Sequence, residues 1–169
     1  REKNLPDSLF WQQIMSRIQI VKSPYTKNVL HSSIQKIQHY FRSNSIAFHL
    51  SHGDFTPWNT VIIKNKLYIY DWEDATYERP DGYDLFHFLV SVLWLVEKKT
   101  SAEINTIVIN ELCNHIDYFK SPSISEQEIK YLFLLYQLDK LSFYLTNYYN
   151  SNTCNFYLNL IMSGCYSEV

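Results

Sequence analysis

The chain has 169 residues, 46% of them hydrophobic, which is enough for one domain with an enclosed core and too apolar for a disordered segment. Fifteen Lys and Arg against 17 Asp and Glu leave a net charge of -2, so there is no electrostatic case for nucleic acid or for an anionic membrane surface. The three cysteines, Cys113, Cys154 and Cys165, have no C-x-x-C spacing, which argues against a disulfide framework or a cysteine metal site and fits a reducing, cytoplasmic setting.

The opening REKNLPDSLF has no apolar signal core. From Ser8 to Gln19, the apolar residues Leu9, Phe10, Ile14 and Ile18 predict a helix entered through Asp7 or Ser8. Pro24 then breaks the chain, and Val29, Leu30, Ile34, Ile37 and Phe41 predict a second helix over Asn28 to Phe41. Ile46, Phe48 and Leu50 alternate as in a strand. The β-rich runs TVIIK and KLYIYDW, separated by a Lys-Asn-Lys turn, predict a hairpin. From Tyr83 onward the pattern is helical, with helices expected over about 83–98, 102–119, 125–149 and 154–163, Pro122 dividing the second from the third, and a capping-box pattern at Ser125 and Glu128. The most apolar run, Leu85 to Val96, is 12 residues long and carries a His, so it reads as a buried helix rather than a membrane span. The expected class is α+β and mainly helical, a single domain over 1–169. Its parts are two leading helices in 1–45, a loop and hairpin in 46–74, and a helical bundle in 83–169.

The stretch SHGDFTPWNTVIIKNKLYIYDWED, Ser51 to Asp74, carries the chemistry. Phosphoryl transfer from a nucleotide needs a carboxylate to orient the attacking hydroxyl and take its proton, and hard oxygen ligands for the Mg²⁺ that bridges the phosphates. Kinases draw these from an Asp followed five positions later by an Asn, and from a second Asp after the next strand pair. Asp54 and Asn59 have that spacing, and Asp71 ends the second strand of the hairpin. Gly53 removes a side chain beside Asp54, and Pro57 stiffens the loop. Singly, each residue reads as well as a turn or strand-end residue; the joint pattern points to a phosphotransferase site.

HGDFTPWN followed by IYDWED resembles the aminoglycoside phosphotransferase and choline kinase superfamily, small-molecule relatives of the protein kinases. PDGYDLFHFL resembles that family's next element, where an Asp-Leu pair opens a buried helix. The resemblance covers roughly Ile46 to Leu89. It implies a two-lobed kinase-like fold, ATP or GTP as donor, Mg²⁺, and transfer to a hydroxyl of a small acceptor such as an aminoglycoside, a sugar or an amino alcohol. It implies Asp54 as catalytic base and Asn59 and Asp71 as metal ligands. His52 is expected to support the loop, Glu73 to fix the segment that follows or to reach the metal through water, and Asp84 to act as a cap or a brace. Trp58 and Trp72 are expected to pack around the site.

The family's nucleotide lobe carries a glycine-rich cover and a strand Lys, whereas here Gly53, Gly82 and Gly164 lie far apart and no glycine-rich loop precedes Lys22. The expectation is a C-terminal lobe with its N-terminal nucleotide lobe absent, no residue of the chain assigned to the nucleotide, and a surface around Phe55, Trp58 and Trp72 prone to self-association. Glu97, Glu103, Asp117 and Asp139 could meet a cationic acceptor but read first as solvated helix charges; Trp94 and Tyr136 read first as core. The alternative is a non-catalytic kinase-like binding module, which loss of Asp54, Asn59 or Asp71 would favour; all three are present.

Overall fold

The computed structural model describes residues 1–119, 124–147, 152–164 and 166. Helix α1 (Leu9–Gln19) starts where Ser8 Oγ accepts the Trp11 N–H at 3.2 Å, and it buries Phe10, Trp11, Ile14 and Ile18. Helix α2 (Pro24–Tyr40) begins four residues before the sequence pattern suggests. Pro24 opens this helix rather than breaking the chain before it. Proline in the first turn gives up an N–H that would lack a partner anyway, and Ser23 Oγ accepts the Thr26 N–H at 3.3 Å.

Strand β2 (Ile46–Ser51) is the centre of a three-stranded antiparallel sheet, flanked by β1 (Glu2–Lys3) and β5 (Thr76–Pro80). Neither flank shows in the sequence pattern. β1 is two residues long and is fixed by Arg1, whose backbone nitrogen donates to the Phe48 carbonyl, and by Lys3, paired with Glu78 at 2.8 Å. In β5, Arg79 faces His49 and Thr76 faces Ser51, with a register irregularity between those rungs. Strands β3 (Thr60–Ile63) and β4 (Lys66–Ile69) form a separate hairpin. Its turn residues Lys64 and Asn65 both have positive φ (50° and 60°), the backbone that suits a two-residue hairpin turn.

Helix α3 (Tyr83–Ser91) runs into a π-helical turn at Val92–Val96, so the helix expected over 83–98 changes its winding midway. Helix α4 (Ser101–Asn114) opens on a capping box between Thr100 and Glu103; it ends five residues before the expected 119, with a 3-10 turn at Ile116–Tyr118 following. Helices α5 (Glu126–Asn147) and α6 (Asn152–Ser163) complete the bundle. Residues 148 and 149 of the expected third helix, Pro122 and Cys165 lie outside the described residues.

Helix α5 is the axis of the core: Tyr131 through Asp139 are all buried, and α1, α2, α3, α4 and α6 pack around it. A helix buried on every side must satisfy its polar residues internally. Asp139 accepts from Arg17 at 2.7 Å and from the Tyr83 hydroxyl at 2.6 Å. The result is α+β and mainly helical, with two small antiparallel sheets. No helix among the described residues is long and apolar enough to cross a membrane.

Candidate active site

The loop leaving β2 is held by one carboxylate. Helix α3 starts at Gly82, which has φ 78° and offers no side-chain cap. Asp84, in its first turn, faces the loop instead. Its Oδ1 accepts from Ser51 Oγ at 2.8 Å and from the Gly53 N–H at 2.9 Å, and its Oδ2 accepts the His52 N–H at 2.7 Å. Three consecutive residues are thereby pinned to the helix. Gly53 has φ 89°, and a Cβ there would lie 2.7 Å from the Asp74 carbonyl oxygen and 3.0 Å from Arg79 Nη1. Both the backbone and the space require glycine.

His52 ties this loop to the end of β4. Its Nε2 lies 2.9 Å from the Tyr70 carbonyl, which can only accept, so Nε2 carries the proton and Nδ1 accepts the Asp54 N–H at 3.3 Å. The ring is buried against Trp72, with centroids 4.8 Å apart. Asn59 closes the loop: its Nδ2 donates to the Asp54 carbonyl at 3.0 Å and to Asp54 Oδ2 at 2.9 Å. Both amide hydrogens go to Asp54, so Oδ1 is the atom left to meet a cation. The Tyr70 N–H donates to the Asn59 carbonyl at 3.2 Å, one rung beyond the Thr60–Ile69 pair. Asp71 follows directly, in the left-handed region with φ 66° and ψ 58°, a backbone that a non-glycine residue adopts sparingly and that clusters at functional sites. The hairpin thus returns the chain from Asn59 to Asp71 on adjacent rungs. Asp71, Glu73 and Asp74 are exposed.

Among the described residues no three His, Cys, Asp or Glu side chains gather into a metal cluster. Asn59 and Asp71 offer hard oxygen donors in too small a number for a closed protein cage. They fit Mg²⁺ of the kind that keeps several waters and takes the rest of its shell from phosphate oxygens.

Two groups of neighbours of the Gly53–Asp54 loop escape the sequence pattern. The first is His87, whose Nε2 donates to Asp54 Oδ1 at 2.9 Å. Its Nδ1 accepts from the Tyr136 hydroxyl at 3.0 Å, and Tyr136 in turn lies 3.1 Å from the Tyr157 hydroxyl. Burial, reinforced by the Lys140 charge, pushes His87 down to about 4, so the ring is neutral at pH 7. Burial pushes both tyrosines up, so both phenols keep their protons. The His87 hydrogen bond holds the Asp54 carboxyl below its usual range, opposed by partial burial and aided by Lys140 and Asn59. One signal could have found His87: it lies three residues after Asp84, on the same face of α3.

The second group is cationic. Arg79 from β5 and Lys140 from α5 each sit 3.5 Å from the Gly53 carbonyl oxygen, and both lie over the Tyr83 ring, 4.5 and 5.7 Å from its centroid. Burial lowers Lys140 to about 8. With Asp54, Glu73 and Asp74 they line a cleft of about 420 Å³ between α1, the segment 73–79 and α5. No sequence spacing links positions 54, 79 and 140. A larger hollow of about 690 Å³, between Asn4–Asp7 and the end of α2, shares no residue with this loop.

The other polar candidates lie elsewhere. Glu103 is held in the α4 capping box, Asp139 is paired with Arg17, and Glu97 and Asp117 are exposed. Trp94 stacks on Phe156 at 3.9 Å. Phe55 packs on Phe88, while Trp58 and Trp72 are about half exposed, at 48% and 47%. No family model, curated protein or solved structure matches the chain.

Proposed function

We propose that this chain is the catalytic lobe of a Mg²⁺-dependent kinase that transfers the terminal phosphoryl group of ATP or GTP to a hydroxyl of a small molecule. The observation that carries the reading is the set Asp54, Asn59 and Asp71. A carboxylate stands on a loop pinned by Asp84, an amide spends its nitrogen on that carboxylate's residue and keeps its oxygen for another partner, and a left-handed Asp arrives on the adjacent rung of the hairpin.

In this reading Asp54 orients the acceptor hydroxyl and takes its proton as the oxygen attacks phosphorus. His87, neutral and donating, keeps Oδ1 in place, and Asn59 holds Oδ2. Each carboxylate oxygen retains a second lone pair for the incoming proton. Bound Mg²⁺ would neutralise charge on the phosphates, with Asn59 Oδ1 and Asp71 as its protein ligands. Most catalysis in this reaction is positioning and electrostatics, so a nucleotide-binding lobe that covers the phosphates has to complete the machinery. The exposed face of Trp58, Trp72 and the hairpin is continuous with the site and is the surface such a lobe would cover.

That same exposed apolar hairpin favours the second reading, a kinase-like module that binds a partner without catalysis. The deciding experiment is transfer of labelled phosphate from Mg-ATP and Mg-GTP to a panel of hydroxylated acceptors, by the chain alone and by the full-length protein. Asp54→Asn keeps the shape and removes the base, so it should cost about 10²–10⁴-fold in turnover with little loss of stability. Near-normal turnover in that variant would rule out Asp54 as base, and no transfer by the full-length protein would favour the binding module.

A further inference from the structure

Two of the cations lining the cleft beside Asp54, Arg79 and Lys140, have no carboxylate in ion-pair contact among the described residues, although Asp54, Glu73 and Asp74 also line it. Glu78 is paired with Lys3, and Asp139 is occupied by Arg17 and the Tyr83 hydroxyl. Among the described residues, no carboxylate makes an ion pair with Arg79 or Lys140. Their only hydrogen bonds there are the long contacts to the Gly53 carbonyl, 3.5 Å from each. A guanidinium has five N–H donors and an ammonium three, so most of these hydrogens face the cleft unmatched. Two cations that converge on one carbonyl repel each other, and the carboxylates around them, Asp54, Asp74, Asp84 and Asp139, act on them from beyond ion-pair contact. Glu73 and Asp74 stand at the exposed rim, where solvent screens them.

Resting on the phosphotransferase reading, we propose that the acceptor is a hydroxylated compound bearing an oxyanion, a carboxylate or a phosphate ester, which Arg79 and Lys140 bind beside Gly53 while Asp54 receives its hydroxyl. The cleft is about 420 Å³, the size for a small polyol acid, and Asn59 and Asp71 do not line it. An anion held there therefore meets the acceptor side of Asp54 rather than the metal side. A planar guanidinium suits either oxyanion through paired N–H bonds, and the Tyr83 ring beneath both cations fixes their heads. A cationic acceptor would have to be held by the exposed Glu73 and Asp74 and would meet Arg79 and Lys140 at the inner wall, since Glu97, Glu103 and Asp117 do not line the cleft and Asp139 is already paired.

The test is a ligand-detected NMR titration of the full chain with matched probes: glycerate, glycerol 3-phosphate and glycerol, then gluconate and glucitol, with choline as the cationic control. The expected result is binding of the anionic member at least about tenfold tighter than its neutral twin, weakening with salt. The better of glycerate and glycerol 3-phosphate names the oxyanion. Arg79→Gln and Lys140→Gln should each lose about tenfold for the anion, and Lys140→Arg should retain binding. Asp54→Asn should keep the anion preference while losing transfer. Equal binding of charged and neutral twins, no binding of any anion, or tighter binding of choline overturns the proposal. So does a pair of folded Arg79 and Lys140 variants that lose Mg–nucleotide binding and keep the acceptor. Transfer to neutral acceptors without an anion preference removes the oxyanion site and keeps the kinase reading. An intact anion preference without transfer to any acceptor leaves the oxyanion site standing and removes the kinase reading.

Discussion

The His87 contact makes the stability of this fold depend on pH in a calculable way. The ring is buried, donates from Nε2 to Asp54 and accepts at Nδ1 from Tyr136. A second ring proton would face a hydroxyl that already donates to that nitrogen, and the charge would sit in the core beside Lys140. The folded value is pushed down to about 4 from 6.5, so as pH falls the unfolded chain takes up the proton first. The contribution is therefore intact above pH 6.5, declines between 6.5 and about 4, and is fully lost below. A shift of this size is worth about 3 kcal/mol in total, of which about 1.5 kcal/mol should disappear between pH 6.5 and 5. The assay is urea unfolding of the wild type and of His87→Gln at several pH values. Gln can donate to Asp54 and accept from Tyr136 without titrating, so its slope in this window should be flatter by that amount. Equal slopes in the two proteins would refute the argument.

Asp84→Ala leaves the His52 and Gly53 amides without their acceptor and should cost about 3 kcal/mol in urea unfolding, with Asp84→Asn milder; a loss under about 1 kcal/mol would mean the loop holds its own shape. Gly53→Ala meets both the positive φ and the Asp74 carbonyl, so the melting temperature should fall by roughly 5 °C or more, at about 2–4 °C per kcal/mol for a chain of this size. Asp71→Ala should weaken Mg–nucleotide binding in the full-length protein and leave metal-free nucleotide binding alone, measured by calorimetric titration with and without Mg²⁺; unchanged Mg–nucleotide binding would remove Asp71 from the metal site.

Local signals and distant ones were legible to different degrees. The α1 cap at Ser8, the hairpin and the order of the helices follow from periodicity and turn chemistry, which act over a few residues. The flanking strands β1 and β5 do not, because two and five residues carry too little pattern and their pairing depends on β2 being in place. The sequence pattern places the start of α2 too late because Pro24, a breaker inside a helix, here occupies the first turn. Within the site, Asp54, Asn59 and Asp71 are separated by one loop and one hairpin, so their spacing carries their juxtaposition. Arg79 and Lys140 reach the same carbonyl from β5 and from the central helix, a meeting that only the packed core creates.

The hairpin has one more property that bears on how the site could be controlled. Among the described residues its strands, in four rungs from Thr60–Ile69 to Ile63–Lys66, pair only with each other, and Ile62, Ile63 and Leu67 stand out into solvent. A ribbon of two strands without a sheet beside it is weakly stabilised by itself. Its hydrogen-bonded anchor lies at one end, where Tyr70 bonds to Asn59, to Trp58 and to His52. Those anchors flank Asp71. The anchored end of the ribbon is thus the end that carries Asn59 and Asp71, and its free end is the turn at Lys64 and Asn65. A contact that covers the exposed Ile62, Ile63 and Leu67 would add stability that the two strands lack by themselves, at a distance along the chain from Asp54.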